Sequence, residues 1–298
     1  MKWDLKKPDM VQEAAQTGGQ NVVLEILMFV GVFIAASYVQ AIPAKIIVYM
    51  FPISYDGYMA LALFSTIIMT AIAMLFCKVV QKRKMRTLGF KKSGMWKEYG
   101  IGLIIGLGMM AAVVLGGVAT GSLALEFNPE AVTGAGIGML VLLFFGFVFQ
   151  GMSEEVLCRG YFLVSLARKK GNIWMAVIVN SVAFAALHLR NAGITPLAFI
   201  NLILFGVFAS VYFVKRCNIW GIAAIHSIWN FAQGNIFGIL VSGNDFGTTI
   251  FISEIEESMS LVNGGDFGLE GGLLVTIVMI VGTLIMLFTK QKDVAREA

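Results

Sequence analysis

Residues 137–166 read IGMLVLLFFGFVFQGMSEEVLCRGYFLVSL. A helix needs about 20 residues to cross the roughly 30 Å hydrocarbon core of a bilayer, and this run is long and apolar enough to do so. Its interior nevertheless carries Glu154, Glu155 and Arg159. Each charge placed in lipid costs at least about 2.5–3.5 kcal/mol, so such residues are rare there and mark functional positions by default. The run therefore sets two expectations: a membrane fold, and a polar site built inside it.

The rest of the chain agrees with the first. Of 298 residues, 58% are hydrophobic and 13% charged, and mean hydropathy is +0.83, outside the range of soluble domains. Eight runs have spanning length: 21–42, 57–80, 100–121, 137–166, 173–189, 196–214, 219–240 and 272–289. The expected fold is all-α, a polytopic bundle of about eight transmembrane helices forming one domain over 1–298. No stretch is long enough to make a second, soluble domain.

Charge orients the bundle. Lys78, Lys82, Arg83, Lys84, Arg86, Lys91, Lys92 and Lys97 cluster between the second and third runs, which makes that connection cytoplasmic. Arg168, Lys169, Lys170, Lys215, Arg216, Lys290, Lys292 and Arg296 then fall on the same side, and an even number of spans puts both termini there. The net charge of +4 is thus sorted by membrane side and does not point to nucleic acid. The other side carries Asp56, Glu126, Glu130 and the acidic stretch 245–270, with only Lys45 and Arg190 as bases. That stretch reads as a solvated connector, with a lid over the site as the alternative. Cys77, Cys158 and Cys217 suggest neither a disulfide framework nor a CxxC metal site, and the N-terminus reads as lacking a removable signal peptide. Gly102 with Gly106 and Gly117 with Gly121 permit close helix packing, while Asn201 and Gln233 read as interhelical hydrogen-bonding amides.

Polar residues inside the runs fall in three groups. Residues 154–159 are EEVLCR, 180–188 are NSVAFAALH, and 226–230 are HSIWN; both histidines of the chain lie here. Residues four apart share a helix face, which pairs Glu155 with Arg159, Phe184 with His188, and His226 with Asn230. Glu154 points about 100° from Glu155 and is free to take a different partner. Counting about 1.5 Å per residue from the basic markers puts the glutamates roughly 20 Å, His188 about 24 Å and His226 about 16 Å deep. One shared site is geometrically open. Glu155 with Arg159 also reads as a packing ion pair, since a partner at i+4 is the cheapest way to carry a charge in lipid.

An acid, two imidazoles and an amide in a water-poor bundle suit hydrolysis, with a carboxylate as base on water and imidazole and amide donors for an oxyanion. Other intramembrane designs lack their residues. There is no HExxH, Gly151-Met152-Ser153-Glu154 breaks a GxSG pattern, and no aspartate falls within the eight runs. What remains is glutamate-led hydrolysis, with or without a metal.

These residues resemble the CAAX-protease and bacteriocin-processing group of intramembrane proteases, also called the Abi family, which includes the Ras-converting CAAX endopeptidases. Its EExxxR, FxxxH and HxxxN motifs are matched in order by Glu154 to Arg159, Phe184 to His188 and His226 to Asn230. The resemblance implies a catalytic core over 137–240. There Glu154 activates water together with His188, His226 and Asn230 stabilise the oxyanion, and Glu155 and Arg159 orient the site. Family members are described both as metalloproteases and as metal-independent glutamate proteases. Zinc, if bound, would take Glu154, His188 and His226, but the metal-free reading is preferred because one glutamate–histidine pair holding water accounts for the motifs. The expected substrate is a membrane-embedded or lipidated peptide, either a prenylated protein or a bacterial peptide precursor, and the expected location is a prokaryotic cell membrane. The competing reading is a non-catalytic transporter or a bacteriocin-immunity binding protein.

Overall fold

A computed structural model describes residues 5–169 and 172–292. Lys170 and Arg296, two of the bases used to orient the chain, lie outside the described residues. The short helix α1 (Asp9–Ala14) is followed by α2 (Val22–Met50), α3 (Tyr55–Ser65), α4 (Ile67–Val79) and α5 (Met95–Thr120). Next, α6 (Gly134–Glu155) passes through a π-helical stretch, Val156–Leu163, into α7 (Val164–Arg168). Then come α8 (Ile173–Ala186), α9 (Pro196–Arg216), α10 (Trp220–Phe231) with a π-helical end at Ala232–Ile236, α11 (Ser260–Asn263) and α12 (Leu273–Phe288).

The starts of these helices follow from local chemistry. Asn21, Ser54, Thr133, Asn172 and Thr195 each accept a hydrogen bond from a first-turn backbone N–H, which satisfies a donor the helix itself cannot pair. Five rods are long and apolar enough to cross a membrane: Val22–Met50, Tyr55–Val79, Met95–Thr120, Gly134–Arg168 and Pro196–Arg216. α8 and α12 are apolar but shorter. The protein is a multi-pass helical membrane protein, and each of the eight runs is helical over most of its length.

The fold departs from the sequence reading in three places. A two-stranded antiparallel sheet joins β1 (Leu123–Phe127) to β2 (Phe251–Ile255), with Leu123 opposite Ile255 and Phe127 opposite Phe251, so the chain is not purely α. Each strand is five residues long and its partner is distant in sequence, so neither shows as a local pattern. Asp56 lies in the first turn of α3 and thus at the end of a membrane-length rod, where it accepts hydrogen bonds from the backbone N–H (3.2 Å) and hydroxyl (2.5 Å) of Thr248. Gly121 ends α5 in the left-handed region, φ 72°, with open space around it, and Gly117 packs on Leu123, so that pair is no helix–helix seam.

The Gly102 and Gly106 pair does form one. A Cβ on Gly102 would run into the carbonyl of Gly221, and one on Gly106 would lie 2.5 Å from Ile228 Cγ2. α5 and α6 both pack against α10, while α9 holds α8 and α12. α9 is the most enclosed of the five rods, with 67% of its apolar window buried against 22% for α2. α9 and α10 are therefore the enclosed helices, and the other rods present apolar faces, such as Leu27 and Ile34 of α2, Ile104 of α5 and Val141 and Phe145 of α6.

At one end, Arg83 is turned inward and only 2% exposed, although the sequence counted it among solvated bases. It donates to the carbonyls of Gly160 (2.8 Å) and Tyr161 (3.1 Å), which belong to the π-helical stretch, and burial pushes its guanidinium down to about 10. Cys77, Cys158 and Cys217 are buried and form no disulfide.

Candidate active site

The helix that carries Glu154 and Glu155 changes pitch immediately after them. Residues Val156–Leu163 are π-helical and fully buried, a device common at functional sites because it turns side chains away from the regular α face. Within that widened stretch Arg159 still reaches back to Glu155, Nη1 to Oε1 at 2.8 Å, and both side chains are 0% exposed. The guanidinium also sits over the rings of Phe184 at 4.7 Å and Phe205 at 5.8 Å. The phenylalanine of FxxxH is thus the platform for the arginine of EExxxR.

His226 comes from α10 and stands between the two carboxylates. Its Nδ1 is 2.8 Å from Glu155 Oε1 and its Nε2 is 3.7 Å from Glu154 Oε2. A carboxylate that pairs with Arg159 can only accept, so Nδ1 donates to Glu155 and the ring is fixed with Nε2 on the Glu154 side. Glu154 is 24% exposed and accepts from Gln150 Nε2 at 2.6 Å on Oε1. Gln150 Oε1 in turn accepts from Asn230 Nδ2 at 3.0 Å. Gln150, one turn before Glu154, thus joins the carboxylate of α6 to the amide of α10. It was not singled out from sequence, and the signal available was an amide at i−4 within a spanning run.

His188 lies just beyond the end of α8, in a turn, and not inside a helix running to residue 189 as its spacing suggested. Its Nδ1 is 3.0 Å from the carbonyl of Phe184, which leaves Nε2 for other partners. The i+4 relation to Phe184 survives as this ring-to-backbone bond.

Glu154, His188, His226 and Asn230, from three separate segments, line one cavity of about 120 Å³. Glu155 and Arg159 do not line it; they lie behind His226. The remaining walls include Phe147, Gln150, Phe205 and Trp229, together with Phe246 and Glu270 from the acidic stretch and Ser242 and Asn244 just before it. The two ends of that stretch are therefore folded against the site, while Glu254, Glu256, Glu257 and Ser258 between them are exposed, as a solvated connector would have them. Asn235 Nδ2 holds the first end by the carbonyls of Phe246 and Thr248, and Gln233 Nε2 holds the chain before it by the carbonyl of Leu240 at 2.6 Å. Asn201 Nδ2 holds the carbonyls of Glu270 and Gly272. Asn201 also accepts from Thr276 of α12, the interhelical bond expected of it, and itself lines the cavity, whereas Gln233 bonds the chain just beyond its own helix and not another helix.

Close approach of α6 and α10 depends on Gly151, where a Cβ would lie 2.5 Å from Ser227 Oγ and 2.7 Å from Ser227 N. Ser227 adjoins His226, so Gly151→Ala is expected to push α10 outward, to lower activity about tenfold or more, and to cost about 1–3 kcal/mol of stability. Turnover and thermal unfolding in detergent check this; unchanged values for both would show that the contact is soft.

Zinc, if bound, would take Glu154 and Nε2 of His188 and of His226, a set these side chains do not form as they stand. Among the described residues no three His, Cys, Asp or Glu side chains are grouped to hold a metal ion. Nδ1 of each histidine is held, by Glu155 and by the Phe184 carbonyl, the arrangement usual for a histidine that ligates through Nε2, and Gln150 holds only Oε1 of Glu154.

Residues 136–232 match the family model of the Rce1-like type II CAAX prenyl endopeptidases. This Rce1-like segment is roughly a third of the chain and contains all three motifs, so the resemblance read from them and the family match agree. The family's name is that of an endopeptidase, which implies a protease. No curated protein and no solved structure matches the chain. The Rce1-like segment begins at the start of α6 and ends at the π-helical close of α10, and it includes every cavity residue named above except Ser242, Asn244, Phe246 and Glu270.

Proposed function

We propose that the protein is an intramembrane endopeptidase that hydrolyses a membrane-embedded or lipidated peptide with water activated by Glu154. The observation that carries this reading is the convergence of Glu154, His188, His226 and Asn230 on one cavity within the Rce1-like segment of an apolar bundle.

In this reading Glu154 takes a proton from water held with His188, and the water oxygen adds to the substrate carbonyl. Gln150 occupies Oε1 of Glu154, so Oε2 is the oxygen left to act as base. The oxyanion that forms is met by Asn230, whose Nδ2 has a second proton besides the one given to Gln150, and by His226. His226 lies between two carboxylates, and protonated at both nitrogens it offers Nε2–H to the oxyanion. Collapse then breaks the C–N bond, and the proton taken by Glu154 passes to the leaving amine. Glu155 and Arg159 act through His226 by fixing its ring.

The three shorter helices, α8, α10 and α12, complete an eight-span reading with the five long rods, with both termini cytoplasmic and residues 137–240 as the catalytic core of a single domain. The positive-inside distribution supports this orientation. We read the membrane as the cell membrane of a prokaryote.

The test is cleavage of a panel of membrane peptides, one of them farnesylated, by purified protein in detergent with and without chelator. Cleavage at a rate that chelator leaves unchanged is expected, since no step runs through a metal. Loss of cleavage on chelation, restored by zinc, would replace the metal-free mechanism. Cleavage of no peptide would favour the transporter or peptide-binding reading.

A further inference from the structure

Glu270 shares the cavity with Glu154, His188 and His226, yet it comes from the acidic stretch and lies outside the Rce1-like segment. Its Oε2 accepts from Ser242 N at 2.8 Å and Ser242 Oγ at 2.6 Å, and its Oε1 from Trp229 Nε1 at 3.3 Å. All three donors are neutral. No lysine or arginine is among the described residues that line the cavity, and the cation the mechanism places there, protonated His226, faces Glu154 and Glu155 and not Glu270. An ionised carboxylate has about four acceptor positions, so one remains on Oε1, beside the longest of the three bonds.

A carboxylate set into an apolar bundle without a counter-ion is costly. A cavity that leaves a charge without its opposite discriminates among ligands by what each brings to it. We propose that Glu270 is a specificity-determining residue, which favours peptides presenting a cationic side chain or a spare N–H to the cavity and disfavours those presenting a carboxylate. The inference rests on the endopeptidase reading for calling the bound peptide a substrate, while the charge selection itself is a property of binding.

The experiment uses the full-length Glu154→Gln protein in lipid nanodiscs, where Glu270 is the remaining cavity carboxylate. It measures the affinity of a fluorescent apolar peptide in which one position at a time is lysine, alanine or glutamate. At the position that meets the cavity, lysine is expected to bind at least about tenfold more tightly than glutamate, since like charges placed together cost several kcal/mol. Adding Glu270→Gln should bring that ratio to within about twofold of unity. Adding Ser242→Ala, which loosens the wall but keeps the charge, should preserve it.

Equal binding of lysine and glutamate peptides at every position by the Glu154→Gln protein alone overturns the proposal, and needs no further variant to fold. A ratio that survives Glu270→Gln, or that Ser242→Ala removes equally, overturns it as well. If wild-type protein cleaves none of these peptides while the lysine preference is present and erased by Glu270→Gln, the endopeptidase reading fails and the charge selection stands.

Discussion

Glu154→Gln is expected to lower the rate of peptide cleavage about 10³-fold while leaving the protein folded and membrane-inserted, in line with the 10²–10⁴-fold contribution of a positioned general base. The amide keeps the size of the carboxylate, and its oxygen still accepts from Gln150, so the link from α6 to Asn230 persists. What is lost is the proton acceptor. Glu154 is partly exposed to the cavity, and His226, 3.7 Å from it, keeps the closer carboxylate of Glu155 at 2.8 Å, so neutralising Glu154 leaves His226 paired. Thermal unfolding in detergent should therefore be unchanged or slightly raised. A variant that still cleaves at a tenth of the wild-type rate or better would remove Glu154 from the mechanism.

The second large effect is expected at Glu155, and it falls on stability as well as rate. Glu155 and Arg159 are both completely enclosed, and the same Glu155 oxygen accepts from Arg159 and from His226. Glu155→Gln leaves a guanidinium buried without its carboxylate, a change that costs about 3–5 kcal/mol in comparable sites. It should also lower turnover about 10²-fold, because the His226 ring loses the charge that orients it. Combining Glu155→Gln with Arg159→Met separates the two consequences. Replacing a whole buried pair is often close to neutral, so the double variant should recover most of the stability and little of the activity. If activity returned together with stability, the pair would be a packing device with no influence on His226.

How much of this was legible in the chain varies with the range of the interaction. Glu155–Arg159, Phe184–His188 and His226–Asn230 are four-residue relations, and helical geometry writes such relations directly into spacing. The depth argument placed the three groups at similar levels of the bilayer, and they do line one cavity. Spacing gave no hint that the Phe184 ring would support Arg159, nor that α8 would end at Ala186 and leave His188 in a turn. The π-helical stretches after Glu155 and after Phe231 were equally hidden, because an i→i+5 pitch arises from what surrounds the helix and has no hydrophobic period of its own. Arg83 reads as one base in a cluster, and only the packed structure sets it on the Gly160 and Tyr161 carbonyls.

By itself the sequence determined that this protein lives in a membrane as a bundle of apolar helices, and it singled out Glu154, Glu155, Arg159, His188, His226 and Asn230 as the polar residues inside that bundle. Both conclusions follow from local quantities, the length of apolar runs and the cost of a charge in lipid. Tertiary structure alone decided that Gln150 joins Glu154 to Asn230, that Gly151 lets α6 meet α10, and that Ser242, Asn244, Phe246 and Glu270 wall the cavity. Those features are contacts between segments far apart in the chain. Each depends on which helix faces which, and no side chain announces that before the bundle has packed.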